Sequence, residues 1–157
     1  GKRWGVHCNL KTRQVTPPEH PMPWFVKDIL VPKFQALQQY VPALSNWRPN
    51  EANAIDYRRR QRHWLKNHVD NRQLSKEPIA NLSLAGDCSM TFSNEKTRTS
   101  QKVLLKRRCL QILTGQARYD YSHGIRNQDL WSDRRVSLTL RESPLTAGNS
   151  IPPCFSS

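Results

Sequence analysis

The chain is poor in acidic residues: 12 Asp and Glu stand against 25 Lys and Arg over 157 residues, a formal net charge of +13. Such an excess leaves the fold open but favours a polyanionic partner, nucleic acid first and an acidic membrane surface second. Long apolar runs are missing too. No window approaches the roughly twenty apolar residues of a membrane-crossing helix, so no membrane span is expected. Four cysteines, Cys8, Cys88, Cys109 and Cys154, show neither Cys-x-x-Cys spacing nor a dense framework, which argues against a zinc ribbon or a disulfide scaffold. Reduced thiols in an intracellular protein, nuclear or cytoplasmic, are expected. The opening Gly1-Lys2-Arg3-Trp4-Gly5 lacks both the apolar core of a secretory signal and an initiator Met, so a piece of a longer protein is one expectation. Internal repeats are absent. The hydrophobic content of 36% is modest but clustered enough for one core and one domain.

What is present divides near residue 50. Residues 1–15 suggest an extended arm with Trp4, Val6 and Val15 as its apolar points. Residues 16–23 hold four prolines, which remove donors and fix φ, so no regular structure is expected there. Phe25, Ile29, Phe34, Leu37 and Tyr40 recur near helical spacing, and Pro32 should split that helix into two short pieces. From Trp47 onward the texture is of short strands, near 53–57, 78–84, 88–93, 102–106, 109–113 and 135–141, with residues 93–100 as a hairpin loop. Several short strands at close spacing point to a mainly β sandwich or jelly roll. The Ser- and Pro-rich residues 144–157 have the composition of a disordered tail.

Two stretches carry chemistry. His68 and Asp70 are two residues apart, so on an extended strand both face the same way, and an imidazole beside a carboxylate supplies two of the three ligands of a facial iron site. In Arg135-Val-Ser-Leu-Thr-Leu-Arg141, Val136, Leu138 and Leu140 alternate with Arg135, Ser137, Thr139 and Arg141. Taken alone, this favours a half-buried strand with a solvated outer face. A second reading turns the polar face into a pocket, where guanidiniums hold a small dicarboxylate through bidentate contacts. The run Arg58, Arg59, Arg60 and Arg62 with Trp64 suits phosphate contacts beside a stacking aromatic, and equally suits a solvated loop or an import signal. His7, His20 and His63 have no partner at ligand spacing.

The order of these pieces resembles the AlkB family of Fe(II)- and 2-oxoglutarate-dependent dioxygenases, in particular its eukaryotic homologues. The resemblance covers roughly 50–142. Its carriers are His68-Val-Asp70, Ala80-Asn-Leu-Ser-Leu-Ala-Gly-Asp-Cys-Ser-Met-Thr-Phe92, Leu113-Thr-Gly-Gln-Ala-Arg-Tyr-Asp-Tyr-Ser-His-Gly-Ile125 and Arg134-Arg-Val-Ser-Leu-Thr-Leu-Arg141. It implies a double-stranded β-helix (jelly roll) with a short N-terminal helical segment. The dioxygenase domain would span 1–143, with 1–49 as lid and support and 50–143 as jelly-roll core, and an N-terminal part shorter than the family's would be one expectation. It implies Fe(II), 2-oxoglutarate and O₂, with His68, Asp70 and His123 on the iron. Arg135 would lie near the metal-chelating end of 2-oxoglutarate, and Arg141 and Tyr57 at its distal carboxylate. Family members often carry Asn two residues before this Tyr, where the chain has Ile55. Arg118 stands five residues before His123, as a structural arginine or an ordinary surface one.

The implied reaction is oxidative demethylation of RNA or DNA bases, releasing succinate, CO₂ and formaldehyde. Base-repairing bacterial relatives carry an acidic residue two places after the metal Asp; here Arg72 stands there, a further candidate for nucleic-acid contact, and the change keeps a methylated protein side chain open as substrate. A catalytically inactive nucleic-acid-binding jelly roll is a third reading. Trp4, Trp24 and the 1–15 arm are the lid candidates, and a monomer is expected.

Overall fold

The structure, a computed structural model, describes residues 1–149. Ten strands build two antiparallel sheets: β1 (Lys2–Asn9), β2 (Gln14–His20), β3 (Glu51–Arg58), β4 (Leu65–His68), β5 (Ile79–Ala85), β6 (Cys88–Asn94), β7 (Thr99–Leu105), β8 (Leu110–Leu113), β9 (Ser122–Ile125) and β10 (Arg134–Arg141). One sheet has the order β2-β1-β3-β10-β5-β8 and the other β4-β9-β6-β7. Between them lies a core of Tyr57, Ile79 and Leu113 from the first sheet and Met90, Phe92, Leu105 and Ile125 from the second. This is the jelly-roll layout, and it leaves a cleft where the inward faces turn polar.

Two short helical pieces follow the N-terminal hairpin. A π-helical turn (Phe25–Leu30) runs into α1 (Val31–Ala36), with Pro32 in the first turn of α1, where its missing N–H has no intrahelical partner to lose. The pair packs Val26 and Phe34 against Leu138, Leu140, Ala52 and Ala80 on the outer face of the larger sheet. That contact overturns the solvated-face reading of β10. Helices cover one face of the strand, so its Leu residues look outward into an apolar layer and its Arg, Ser and Thr residues look inward into the cleft.

Residues 16–20 are strand, contrary to the expectation from their prolines. Pro17 and Pro18 lie in β2, the outermost strand of its sheet, between the His20 and Thr16 pairs and without a registered partner on β1, so neither absent N–H breaks a ladder bond. The irregular register between the Gly5–His20 and His7–Thr16 pairs takes up the extra residues. The order also runs further along the tail than composition predicts. The Thr146 amide donates to the Val15 carbonyl (3.0 Å), and the Val15 amide donates to Thr146 Oγ1 (2.7 Å), so residues 144–149 dock on the β2 edge. The rest of that expected tail lies outside the described residues. The expected 93–100 loop shrinks to Glu95–Arg98, because Asn94 and Thr99 pair across the hairpin and Asn94 Oδ1 accepts from the Lys96 amide at 3.0 Å.

Candidate metal and co-substrate site

The cleft is a cavity of about 540 Å³ lined from both sheets. At one end the structure brings together His68, Asp70 and His123, whose donor atoms all lie within 4.8 Å of one another. Asp70 does not share a strand with His68, contrary to the expectation from their spacing. β4 ends at His68, so Asp70 stands in the following loop and is aimed by tertiary contacts. Arg118, buried beneath that loop, donates from Nη1 to the Asp70 carbonyl (2.7 Å) and from Nη2 to the carbonyls of Asn71 and Ser75 (3.2 Å each). Arg118 is thus a positioning residue and no surface arginine.

His68 faces His123 directly across β4 and β9, with ring centroids 4.5 Å apart. Between the Leu65–Ile125 and His68–His123 pairs β4 carries one residue more than β9. Such a bulge kinks a strand and re-aims its side chains. Gly124 makes room for it: a Cβ there would come within 2.9 Å of both the Leu65 carbonyl oxygen and the Asn67 amide nitrogen. The His-Gly pair is therefore one device, in which the glycine admits the bulge that turns His68 inward.

The protonation pattern suits a cation. Burial pushes the His123 imidazole down to about 4, leaving it neutral with a free lone pair. Burial alone would raise Asp70, but the hydrogen bond from His68 and the Arg141 charge hold its carboxyl well below the usual range. His68 Nδ1 lies 2.7 Å from the Lys66 carbonyl oxygen, so it donates there, which fixes the ring and turns Nε2 toward Asp70 Oδ1 at 3.3 Å. Two acceptors facing each other need a positive charge between them, and His68 is accordingly raised, chiefly by that Asp70 contact. A neutral imidazole, a second imidazole and an ionised carboxylate form the donor set of a facial metal site with open positions.

At the other end, Arg135 is 1% exposed. It donates from Nη1 to Ser83 Oγ (2.8 Å) and from Nη2 to Asn81 Oδ1 (3.3 Å), and its Nε has no partner. No carboxylate of the described residues pairs with it. A buried cation without a counter-ion is costly, and one lining a cavity fits an anionic ligand. Tyr57 is its cross-strand neighbour. Burial, partly offset by the Arg135 charge, pushes the Tyr57 phenol up to about 12, so it stays a neutral donor. Arg141 lies at the metal end, with Nη2 3.2 Å from Asp70 Oδ2. Arg141 thus stands beside the His-Asp-His cluster and Arg135 away from it, the opposite of the placement the resemblance implied. Ile55 and Ser137 pair across β3 and β10 in the cavity wall between them.

The expected nucleic-acid residues do not converge on the cavity. Arg58 pairs with Asp56 at 3.0 Å and Arg60 with Asp133 at 3.5 Å, while Arg59, Arg62 and Trp64 are exposed on the loop before β4. Arg72 lies over the Tyr119 ring, 5.2 Å from its centroid, and near Asp120, so it is engaged within the chain. Of the lid candidates, Trp4 meets Phe25 edge-on and packs against the helical layer, whereas Trp24 is exposed. Sequence reasoning missed Asn81 and Ser83, the Arg135 partners. Their signal was there: Ala80 and Leu82 alternate with Asn81 and Ser83, matching the alternation of β10.

A jelly roll with an imidazole–carboxylate–imidazole cluster at one end of its cleft and an unpaired buried arginine at the other is laid out as a metal-dependent oxygenase that uses an anionic co-substrate. The profile of the 2OG-Fe(II) oxygenase superfamily matches residues 7–141, and the chain belongs to that superfamily, whose cofactors are Fe(II), 2-oxoglutarate and O₂. The chain is similar to a DNA N6-methyl adenine demethylase of Caenorhabditis elegans, 26% identical over 141 residues, or 89% of this chain and 47% of that protein. It is also similar to the tRNA (carboxymethyluridine(34)-5-O)-methyltransferase ALKBH8 of Mus musculus, 36% identical over 63 residues, 40% of this chain and 9% of that protein. It therefore spans about half the length of the first relative and about a tenth of the second. The solved structure of OsALKBH1 shares the fold, with a TM-score of 0.59 at 18% identity, covering 89% of this chain and 76% of that one.

Proposed function

We propose that the chain is the catalytic jelly roll of an Fe(II)- and 2-oxoglutarate-dependent dioxygenase that oxidatively demethylates nucleic acid, with His68, Asp70 and His123 holding the iron. The observation that carries this is the pairing of the His-Asp-His cluster with the counter-ion-free Arg135 in one cavity. With 2-oxoglutarate and O₂, Fe(II) supplies the oxidation of a substrate methyl group, which yields succinate and CO₂ and, from a nitrogen-bound methyl, formaldehyde.

The remaining work belongs to the chain. The Lys66 carbonyl holds the His68 ring by its Nδ1–H, and Arg118 fixes the backbone of Asp70. Arg141 neutralises the outer oxygen of Asp70 and sets its orientation. Arg135 receives the distal carboxylate of 2-oxoglutarate, with the Tyr57 hydroxyl as a second donor. Ser83 and Asn81 keep the guanidinium in place meanwhile. Ile55, Leu65, Met90, Leu113 and Ile125 line the cavity and limit the water beside it.

The net charge of +13 and the names of the relatives support nucleic acid as the substrate. Succinate release from 2-oxoglutarate with added Fe(II), with and without methylated oligonucleotides, tests the reading. Iron-dependent release that rises with a methylated oligonucleotide and vanishes in Asp70→Ala is expected. Release that methylated peptides stimulate instead would move the substrate to protein side chains. No release under any condition would contradict the enzyme and leave a binding module. Sedimentation at the mass of one chain is expected in the same preparation.

A further inference from the structure

The loop between β3 and β4 is the basic motif that the cavity leaves unused. Its backbone is held firmly. The Arg59 amide donates to the Asp133 carbonyl (2.9 Å), and the Arg58 amide donates to His63 Nδ1 (3.0 Å). Asn127 Nδ2 bridges the carbonyls of Arg59 (3.0 Å) and His63 (2.9 Å). These bonds hold Arg62 at φ 57°, a left-handed conformation that a non-glycine residue adopts only when its surroundings impose it. On this fixed frame two guanidiniums and one indole are left free. Asp56 is taken by Arg58 and Arg134, and Asp133 by Arg60. Arg59 and Arg62 make no ion pair among the described residues. Trp64 is 61% exposed, although the next residue, Leu65, lines the cavity.

Protection of an edge strand accounts for part of this. β4 ends its sheet, and the exposed Lys66 discourages pairing with another chain. An exposed indole does not serve that purpose, nor do two unpaired guanidiniums on an anchored loop. Phosphate and an unstacked base do match them: guanidiniums take phosphate, and an indole face takes any base. Trp64 lies four residues before His68, so the two are at most about 13 Å apart along the chain at ~3.3 Å per residue.

We propose that Arg59, Arg62 and Trp64 form a docking surface for a single-stranded nucleic-acid segment beside the target nucleotide, the arginines on phosphates and the indole on a base. This rests on the nucleic-acid reading above. The arrangement keeps recognition of the strand outside the cavity and common to any sequence, while the cavity selects the methylated group.

The test is fluorescence anisotropy of a labelled, unmethylated single-stranded oligonucleotide with the protein loaded with Mn(II) and 2-oxoglutarate, over a series of KCl concentrations. Arg59→Ser/Arg62→Ser should weaken binding and flatten the slope of log K against log salt by about 1.4, from ~0.7 per lost phosphate contact. Trp64→Ala should weaken binding about 5- to 150-fold at every salt concentration and leave the slope unchanged. Both variants should keep the wild-type turnover of 2-oxoglutarate without nucleic acid, which shows that the fold and the iron site are intact. Wild-type affinity and slope in both variants would overturn the docking surface while leaving the nucleic-acid reading in place. A wild type that ignores the oligonucleotide would overturn both. Binding to phosphatidylserine vesicles instead, lost in the double variant, would assign the loop to a membrane surface and overturn the proposal. Equal dependence on Trp64 with a duplex probe would overturn the stacking contact.

Discussion

A guanidinium buried without a carboxylate costs the folded chain free energy, and Arg135 carries that cost only if something else repays it. The sign of its mutation is therefore unusual. Arg135→Met should leave the thermal stability of the ligand-free chain unchanged or raise it, because an unpaired buried charge is replaced by an apolar side chain of similar volume. The same change should weaken 2-oxoglutarate binding about 30-fold or more, since it strands a carboxylate in a buried site. Calorimetric titration and a melting curve on one sample read both; a melting loss without an affinity loss would make Arg135 a structural residue. At this scale the sequence was informative. The motifs that carry the family resemblance pointed to His68, Asp70, His123 and the two arginines, and the structure gathers all five around one cavity. Which arginine meets the metal end was not legible. That depends on how a long side chain reaches along the sheet toward Asp70, a tertiary fact that register alone does not contain.

Single elements hold the site in shape, and their failures should be local. In Gly124→Ala the new methyl group meets the Leu65 carbonyl and the Asn67 amide across β4, so the bulge that aims His68 must shift. A loss of about 1–3 kcal/mol of stability is expected. Metal affinity should fall further than that loss explains, read by Mn(II) titration; unchanged affinity would detach the bulge from the site. Arg118→Ala leaves the Asp70, Asn71 and Ser75 carbonyls without their donor and should cost about 2–4 kcal/mol, with poor rescue by Lys, whose ammonium cannot span them.

The turn at Asn127–Asp129, which ties down the docking loop, depends on Asp129, buried between Arg126 (2.8 Å) and Lys102 (2.9 Å). The Arg126 hydrogen bond, helped by Lys102, outweighs burial and holds this carboxyl below its ordinary value. A lowered folded value means stability that is present above the unfolded value near 3.9 and lost as pH falls through the folded one. Asp129→Asn should therefore cost about 1–2 kcal/mol at pH 7, and the gap to wild type should close below about pH 4 in urea unfolding. A gap independent of pH would remove the charge from the account. Composition failed at this level for β2, where prolines suggested irregular chain and an edge position tolerates them.

For the whole molecule, the jelly-roll class and the strands β3, β5, β6, β7, β8 and β10 were legible because short apolar and alternating runs recur from residue 50 onward, whereas β4 and β9, at four residues each, carry no such run. The covering of the larger sheet on both faces was not. Helical residues before β3 and strand residues after Arg134 meet only in the folded state, and that meeting turns a seemingly solvated face into a cavity wall. This cavity is expected to hold one metal through His68, Asp70 and His123. Anaerobic Fe(II) titration of the purified chain, with Mn(II) as a redox-silent check, reads this binding. One tightly bound ion per chain, lost in Asp70→Ala while the variant keeps its fold by circular dichroism, is the expected result. Undiminished binding in that variant would remove Asp70 from the metal site.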